Sequence, residues 1–125
     1  MARSSPWRGG TRAHNYIGSA VLRRLGHASD AAGCGCFAFG SDMRVATDEA
    51  AHVYPDAVVV CPPIEAPSED ACSVSNPVIV VEVVSPSSAT RDVLGKRERY
   101  ARFPSLQHYL VAQTAAWRIE HYRRM

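Results

Sequence analysis

Residues 76–86 read NPVIVVEVVSP, and this stretch decides the fold. Every residue from Val78 to Val84 is β-branched except Glu82. A short apolar run bounded by Pro77 and Pro86 predicts a central strand covered on both faces. An ionised carboxylate in such a strand is costly unless a cation or hydrogen-bond donors compensate it. Glu82 therefore lies either at a wet strand end or in a functional site, and the flanking sequence must decide between them.

The chain before this strand predicts a helix followed by short strands. Apolar residues three and four apart over 11–25 indicate an amphipathic helix, with Thr11 as its N-cap and Gly26 as its stop. His14 lies in the first turn, where a single histidine is more often a surface or packing residue. Further strands are predicted at 33–40, 43–46 (a continuation or partner of 33–40), 57–61, 107–111 and 117–122. Ser41-Asp42 is typical of a turn, and the proline-broken segment 62–75 predicts a surface loop.

A second helix is predicted at 89–103, with Ser87-Ser88 offering an N-cap and Pro104 ending it. Lys96 falls on the same stripe of this helix as Val93 and Tyr100. It is the only lysine in the chain, whose other thirteen cationic residues are arginines. The side chain either lies along its apolar neighbours with its ammonium in water or reaches back over the end of the Glu82 strand.

Length and composition indicate one globular domain. We expect a flexible tail at 1–10 and a domain at 11–125, since the 125 residues suffice for one core. No apolar run approaches the roughly 18 residues of a membrane span, and no apolar segment near the N-terminus indicates secretion. These absences predict a cytoplasmic protein without a membrane partner.

Charge is distributed unevenly along the chain. Residues 1–26 carry five arginines and no acid, 27–90 carry nine acids and one arginine, and 91–125 carry eight cations and three acids. Basic ends around an acidic middle suit a polyanion held over metal-binding carboxylates. A solvated arginine-rich surface explains the same counts.

Four cysteines, Cys34, Cys36, Cys61 and Cys72, match no common zinc-site spacing. Cys34 and Cys36 would face opposite sides of a strand, which disfavours a shared metal. We expect free, structural thiols here and not a zinc protein.

Three residues form a constellation that carries chemistry. Asp56 opens the 57–61 strand, Glu82 lies within the next strand, and Lys96 lies on the helix that follows. Two carboxylates on neighbouring strands can hold Mg²⁺ or Mn²⁺ through their oxygen atoms. A lysine ammonium beside them could orient a water molecule and stabilise charge that develops on a phosphodiester.

In its motifs the chain resembles the PD-(D/E)XK nuclease superfamily and, more closely, the Uma-two family of "putative restriction endonucleases". The matching residues are 41–45 (SDMRV), Tyr54-Pro55-Asp56, 80–87 (VVEVVSPS), Asp92, Lys96, Tyr100-Ala101 and Tyr109. The resemblance implies a restriction-endonuclease-like α/β fold, with a mixed central sheet flanked by helices. It also implies cleavage of DNA that depends on Mg²⁺ or Mn²⁺.

The resemblance also assigns roles to residues. It makes Asp56, Glu82 and Lys96 catalytic, and it makes Asp56, Glu82 and the backbone carbonyl of Val83 metal ligands. The superfamily's usual lysine would fall at Val84; in this family it moves to the helix, at Lys96. The supporting positions are Asp42, Ser85, Asp92 and Tyr100. The charge pattern, and not the resemblance, predicts that Arg12, Arg91 and Arg97 contact DNA phosphates.

The chain departs from the family pattern at its C-terminal side. Residues 109–114 (YLVAQT) keep only part of the family's Tyr-Trp-(Ile/Val)-Val-Asp-Pro motif, and family members extend beyond residue 125. A truncated sheet would expose strand edges, which favours aggregation or pairing into a homodimer. The alternative function is a non-catalytic nucleic-acid-binding or regulatory module on the same fold.

Overall fold

The computed structural model describes residues 11–46, 53–67, 71–85, 89–116 and 118–124, with the backbone alone at 89–94. Two helices and seven strands are defined within these ranges. In chain order they are α1 (Arg12–Ala32), β1 (Phe37–Phe39), β2 (Arg44–Val45), β3 (Ala57–Val60), β4 (Ser73–Val74), β5 (Pro77–Val84), α2 (Ala89–Tyr100), β6 (His108–Gln113) and β7 (Arg118–Arg123). The predicted tail at 1–10 and the Ser87-Ser88 cap lie outside the described residues.

A mixed five-stranded sheet of order β1-β3-β5-β6-β7 forms the centre of the protein. β5 pairs antiparallel with β3 and parallel with β6, while β1–β3 and β6–β7 are antiparallel. The parallel pair requires a crossover connection, and α2 supplies it. The predicted central position of the Glu82 strand and the mixed α/β architecture are therefore confirmed.

The core lies where α2 and the strands meet. Val58, Val80 and Val111 from the three middle strands are fully buried, together with Tyr100 of α2 and Phe103 just after it. Alternate residues of a strand share a face, so Val80, Glu82 and Val84 point the same way. Glu82 thus lies in an otherwise apolar row.

Helix α1 confirms the predicted start and corrects the predicted end. The Thr11 side chain accepts a hydrogen bond from the His14 N–H at 3.1 Å. The helix continues through Gly26 to Ala32 and is capped by Gly33, which adopts the left-handed conformation with φ +65°. A glycine inside a helix costs only about 1 kcal/mol relative to alanine. Because the residues after Gly26 are compatible with a helix, α1 continues past this glycine.

The segment 62–75 is not entirely a surface loop, because its end forms the buried strand β4. β4 pairs in parallel with β2 in a separate two-stranded sheet. Arg44 Nε donates to Ser73 Oγ at 2.7 Å across this pair. β2 is therefore neither the continuation nor the partner of β1. The polar composition of 62–75 predicts a loop, but tertiary contacts form and bury the strand β4 at its end.

The expectation that all four cysteines are free thiols is wrong for two of them. Phe37 pairs with Val60 across β1 and β3, and continuing this antiparallel register sets Cys36 opposite Cys61. A disulfide joins these two residues. Cys34 and Cys72 carry thiols and are exposed.

Within the described ranges, neither helix is both long enough and apolar enough to cross a bilayer.

Candidate active site

The register of the two central strands brings the predicted carboxylates together. Ala57, the first residue of β3, pairs with Val81 of β5. Because the strands are antiparallel, the preceding residue, Asp56, is set opposite the following one, Glu82. A polar pair therefore forms at the N-terminal end of β3, beside the C-terminal half of β5.

Asp56 is held by a backbone donor and a histidine. Its Oδ2 accepts a hydrogen bond from the Val83 N–H at 2.7 Å, and its Oδ1 lies 3.3 Å from Nε2 of His14 on α1. The side chain retains 17% of its exposure. Asp56 is therefore fixed in orientation yet accessible from solvent.

Glu82 is buried, at 4% exposure, and both of its oxygens are engaged. Oε2 accepts a hydrogen bond from the Tyr100 hydroxyl at 2.7 Å, and Oε1 lies 3.2 Å from Lys96 Nζ. Burial raises the pKa of Glu82, and Asp56 adds to the rise. Lys96 and Tyr100 oppose it, but the pKa remains above its ordinary value of 4.5. Ionised Glu82 thus depends on nearby cations.

Two buried tyrosines line the apolar side of Glu82. The pKa of Tyr100 is raised by burial and then by the Glu82 charge, so its hydroxyl stays protonated and acts as a donor. The Tyr109 ring lies 5.4 Å from the Tyr100 ring, between centroids. The Tyr109 hydroxyl is buried and has no hydrogen-bond partner among the described residues.

Lys96 reaches Glu82 from α2, whereas Val84 does not contribute a polar group to the site. Val84 lies in the apolar core on the same strand face as Glu82. Helix α2 covers that face, and Lys96 extends from it with 38% of its side chain exposed. The ammonium therefore contacts Glu82 and solvent together. Of the two interpretations of Lys96, the structure supports the one in which it reaches Glu82.

Of the predicted supporting residues, the structure brings Tyr100 directly into the site. Asp42 is exposed in the turn before β2, and Ser85 is half-buried immediately after β5. Asp92 lies on α2, with its side chain outside the described part of the chain. His14, for which the sequence predicts a surface or packing role, contacts Asp56 because α1 packs beside β3.

The three predicted DNA-contacting arginines lie on the two helices. Arg12 is exposed at the start of α1. The Arg97 guanidinium lies over the ring of Tyr122 on β7, 4.2 Å from its centroid. Arg91 is on α2, and its side chain lies beyond the described structure. Arg97 thus borders the sheet edge at β7.

Comparison with protein families places this geometry in context. The sequence profile of the Uma2 family, described as "Putative restriction endonuclease", matches residues 7–125. This match confirms the resemblance that the motifs indicated.

Two curated relatives come from Synechocystis sp. (strain PCC 6803). "Uncharacterized protein sll1609" is 34% identical over 88 residues, covering 70% of this chain and 50% of the relative. "Uncharacterized protein slr1290" is 30% identical over 117 residues, covering 93% of this chain and 60% of the relative. The chain thus spans about half of the first relative's length and three fifths of the second's.

A solved structure shares the fold. The crystal structure of "a putative nuclease belonging to DUF820" from Anabaena variabilis superimposes with a TM-score of 0.69 at 16% identity. The alignment covers 91% of this chain and 64% of that chain. At this identity the likeness establishes the α/β architecture alone.

Proposed function

The chain belongs to the Uma2 family, described as "Putative restriction endonuclease", and we propose that it is a divalent-metal-dependent endonuclease that hydrolyses DNA phosphodiester bonds. The observation that carries the proposal is the cluster of Asp56, Glu82 and Lys96. A carboxylate pair and one ammonium meet where two central strands and a helix converge.

The charges around Glu82 suit a divalent cation. Glu82 is buried with a raised pKa beside a second carboxylate, so an added cation would relieve the repulsion and stabilise the ionised form. Carboxylate oxygens are preferred ligands of Mg²⁺ and Mn²⁺. When bound, such an ion polarises a phosphodiester and lowers the pKa of a coordinated water. Asp56 and Glu82 would hold it.

The Val83 carbonyl is proposed as a further ligand. The N–H and C=O of a strand residue point to the same side, and the Val83 N–H points to Asp56. Continuing the β3–β5 register sets Pro55 opposite Val83. A proline has no N–H, so it cannot donate to this carbonyl. The oxygen is therefore left for another partner beside the two carboxylates.

The remaining side chains position groups and stabilise charge. The Tyr100 hydroxyl holds Oε2 of Glu82 through a hydrogen bond, and the His14 ring lies next to Oδ1 of Asp56. Lys96 has the exposure to contact a water molecule and a phosphate oxygen while it remains near Glu82. We assign it to orienting the attacking water and to stabilising negative charge on the phosphate in the transition state.

DNA would be held by arginine contacts to its phosphates. Arg12, Arg91 and Arg97 are the proposed contacts, on the two helices that also supply His14 and Lys96. Phosphate contacts release counterions, so affinity for DNA should fall steeply as salt is added.

A second candidate function is a nucleic-acid-binding module without catalysis. Both Glu82 oxygens already have protein partners, and Lys96 neutralises this carboxylate as a structural ion pair would. In that case Asp56 and Glu82 would contribute to stability alone.

A plasmid-nicking assay separates the two functions. Wild type should nick supercoiled DNA with Mg²⁺ or Mn²⁺, and chelation by EDTA should stop it. Glu82→Gln and Asp56→Asn should lose activity while keeping the circular-dichroism spectrum of wild type. Glu98→Gln, an exposed carboxylate on α2, is the matched control and should nick normally. Equal nicking by Glu82→Gln and wild type would contradict the proposal, and DNA binding without nicking would favour the second candidate.

A further inference from the structure

Three cysteines converge at the end of β3 that lies away from Asp56. Cys61 follows the last residue of β3, whereas Asp56 precedes the first. Five residue steps along an extended strand separate them by roughly 16 Å. The cysteine cluster is therefore remote from the carboxylates and does not depend on the proposed nuclease function.

Irregular backbone brings Cys34 to the other two cysteines. Helix α1 is capped by Gly33 with φ +65°, and Gly35 adopts φ +72°. Positive φ at both positions breaks the strand alternation that would separate Cys34 from Cys36. The Cys34 sulfur lies 3.7 Å from the Ser29 carbonyl oxygen, so the chain has turned back toward α1. Cys36 meets Cys61 across the β1–β3 register.

The three Sγ atoms all lie within 4.8 Å of one another. In a tetrahedral zinc site, Zn–S bonds of about 2.3 Å set the sulfur atoms about 3.8 Å apart. Three thiolates at this spacing need only small movements around an ion, once the Cys36–Cys61 bond is open. Soft sulfur ligands select Zn²⁺ over the hard cations suited to Asp56 and Glu82.

The surroundings provide access and an open coordination position. Cys34 is exposed, while Cys36 and Cys61 are half-buried. Cys36 also lines a surface cavity of about 540 Å³ together with His27 and Asp30 of α1. Zn²⁺ usually has four ligands. An ion held by three thiolates and facing solvent could therefore take a water molecule as the fourth.

We propose that the reduced chain binds one Zn²⁺ through the thiolates of Cys34, Cys36 and Cys61. A dithiol reductant first cleaves the Cys36–Cys61 bond, giving up two electrons and two protons and becoming a disulfide itself. Zn²⁺ then replaces the three thiol protons, which are released to solvent. Disulfide and zinc are thus alternative states of one site, selected by the surrounding thiol–disulfide balance.

The test is zinc binding by the full chain after reduction. Wild type treated with a phosphine reductant should take up one equivalent of Zn²⁺ from a chromogenic chelator. Added Co²⁺ should produce thiolate-to-cobalt charge-transfer absorption. Oxidised wild type should show neither signal. The Glu82→Gln background weakens metal binding at the carboxylates and should leave both signals unchanged.

Cys34→Ser is the decisive variant, because it leaves the Cys36–Cys61 disulfide intact and its oxidised form can be checked for wild-type folding. It should bind Zn²⁺ at least tenfold more weakly after reduction. Cys72→Ser is the matched control, an exposed cysteine outside the cluster, and should bind as wild type does. Failure of reduced wild type to bind Zn²⁺, or equal binding by Cys34→Ser, would overturn the proposal.

Discussion

Asp56 precedes β3 and Cys61 follows it, so a four-residue strand separates a carboxylate cluster from a thiol cluster. The carboxylate end is assembled by regular structure: two strands in register and one helical stripe. At the thiol end, strand register joins Cys36 to Cys61, but Cys34 reaches them through two glycines, Gly33 and Gly35, in positive-φ conformations. Regular elements have fixed periods, which makes their contacts predictable from spacing, whereas a positive-φ turn redirects the chain without a periodic signal.

The largest expected effect is at the carboxylate end. Lys96→Arg and Lys96→Ala should reduce DNA cleavage by roughly two or more orders of magnitude, the scale of one preorganised catalytic group. Arginine keeps the charge, but its planar fork does not replace a compact ammonium. Single-turnover cleavage should show this loss while metal binding is largely kept. Arg99→Lys, the converse change at an exposed position of α2, is the control. If Lys96→Arg cleaved DNA at the wild-type rate, Lys96 would be a structural cation and not a catalytic residue.

The two neighbouring buried tyrosines, Tyr100 and Tyr109, sharpen the comparison within the carboxylate end. Tyr100→Phe removes a buried hydrogen bond to Glu82 and should lower the free energy of unfolding by about 1.5–3 kcal/mol. Tyr109→Phe removes a buried hydroxyl that has no partner among the described residues, so stability should stay unchanged or rise. Urea denaturation at neutral pH measures both. Equal losses of unfolding free energy in the two variants would show that the Tyr109 hydroxyl has a hydrogen-bond partner. They would also show that the Tyr100–Glu82 hydrogen bond contributes no more to stability than that one.

Metal selectivity tests whether the two ends of β3 are independent. Asp56→Asn and Glu82→Gln should each weaken Mn²⁺ or Mg²⁺ binding about tenfold or more in calorimetry, since each removes one charged oxygen ligand. Zn²⁺ binding to the reduced thiols should not change. Equal Mn²⁺ affinity in wild type and both variants would eliminate the carboxylate metal site and leave the thiol site untouched.

The smallest effect is a pH dependence confined to the carboxylate end. Because the folded pKa of Glu82 is raised above 4.5, the native state binds its proton more tightly than the unfolded state does. The stability from this group is therefore complete below the unfolded pKa and is lost as pH rises through the folded pKa. Burial is the main cause of the raised pKa of Glu82; Lys96 and Tyr100 lower it, and Asp56 raises it further.

Urea denaturation in EDTA, from below pH 4.5 to above the raised pKa of Glu82, isolates this pH dependence when wild type and Glu82→Gln are compared. The difference in unfolding free energy, wild type minus Glu82→Gln, should fall with rising pH. Parallel curves for the two proteins would contradict the assignment. Cys34→Ser, at the other end of β3, should keep the wild-type slope.

Sequence patterns predicted the elements that regular periods build. The β-branched run around Glu82 gave a central strand, Asp56 opened its neighbour, and the stripe shared by Lys96 and Tyr100 turned both toward Glu82. The order of the motifs along the chain also indicated its family, and the profile match confirmed it. The metal and catalytic roles of these residues remain predictions that the experiments above would test.

Other features depended on tertiary structure. β4 is a strand because β2 pairs with it and the core buries it, although its sequence is polar and follows prolines. His14 meets Asp56 because α1 packs beside β3, and nothing in one turn of helix encodes that distance. Cys36 and Cys61 are 25 residues apart and meet through strand register, while Cys34 joins them through two glycines. Local sequence sets backbone preference and side-chain period, whereas contacts between distant segments depend on how whole elements pack.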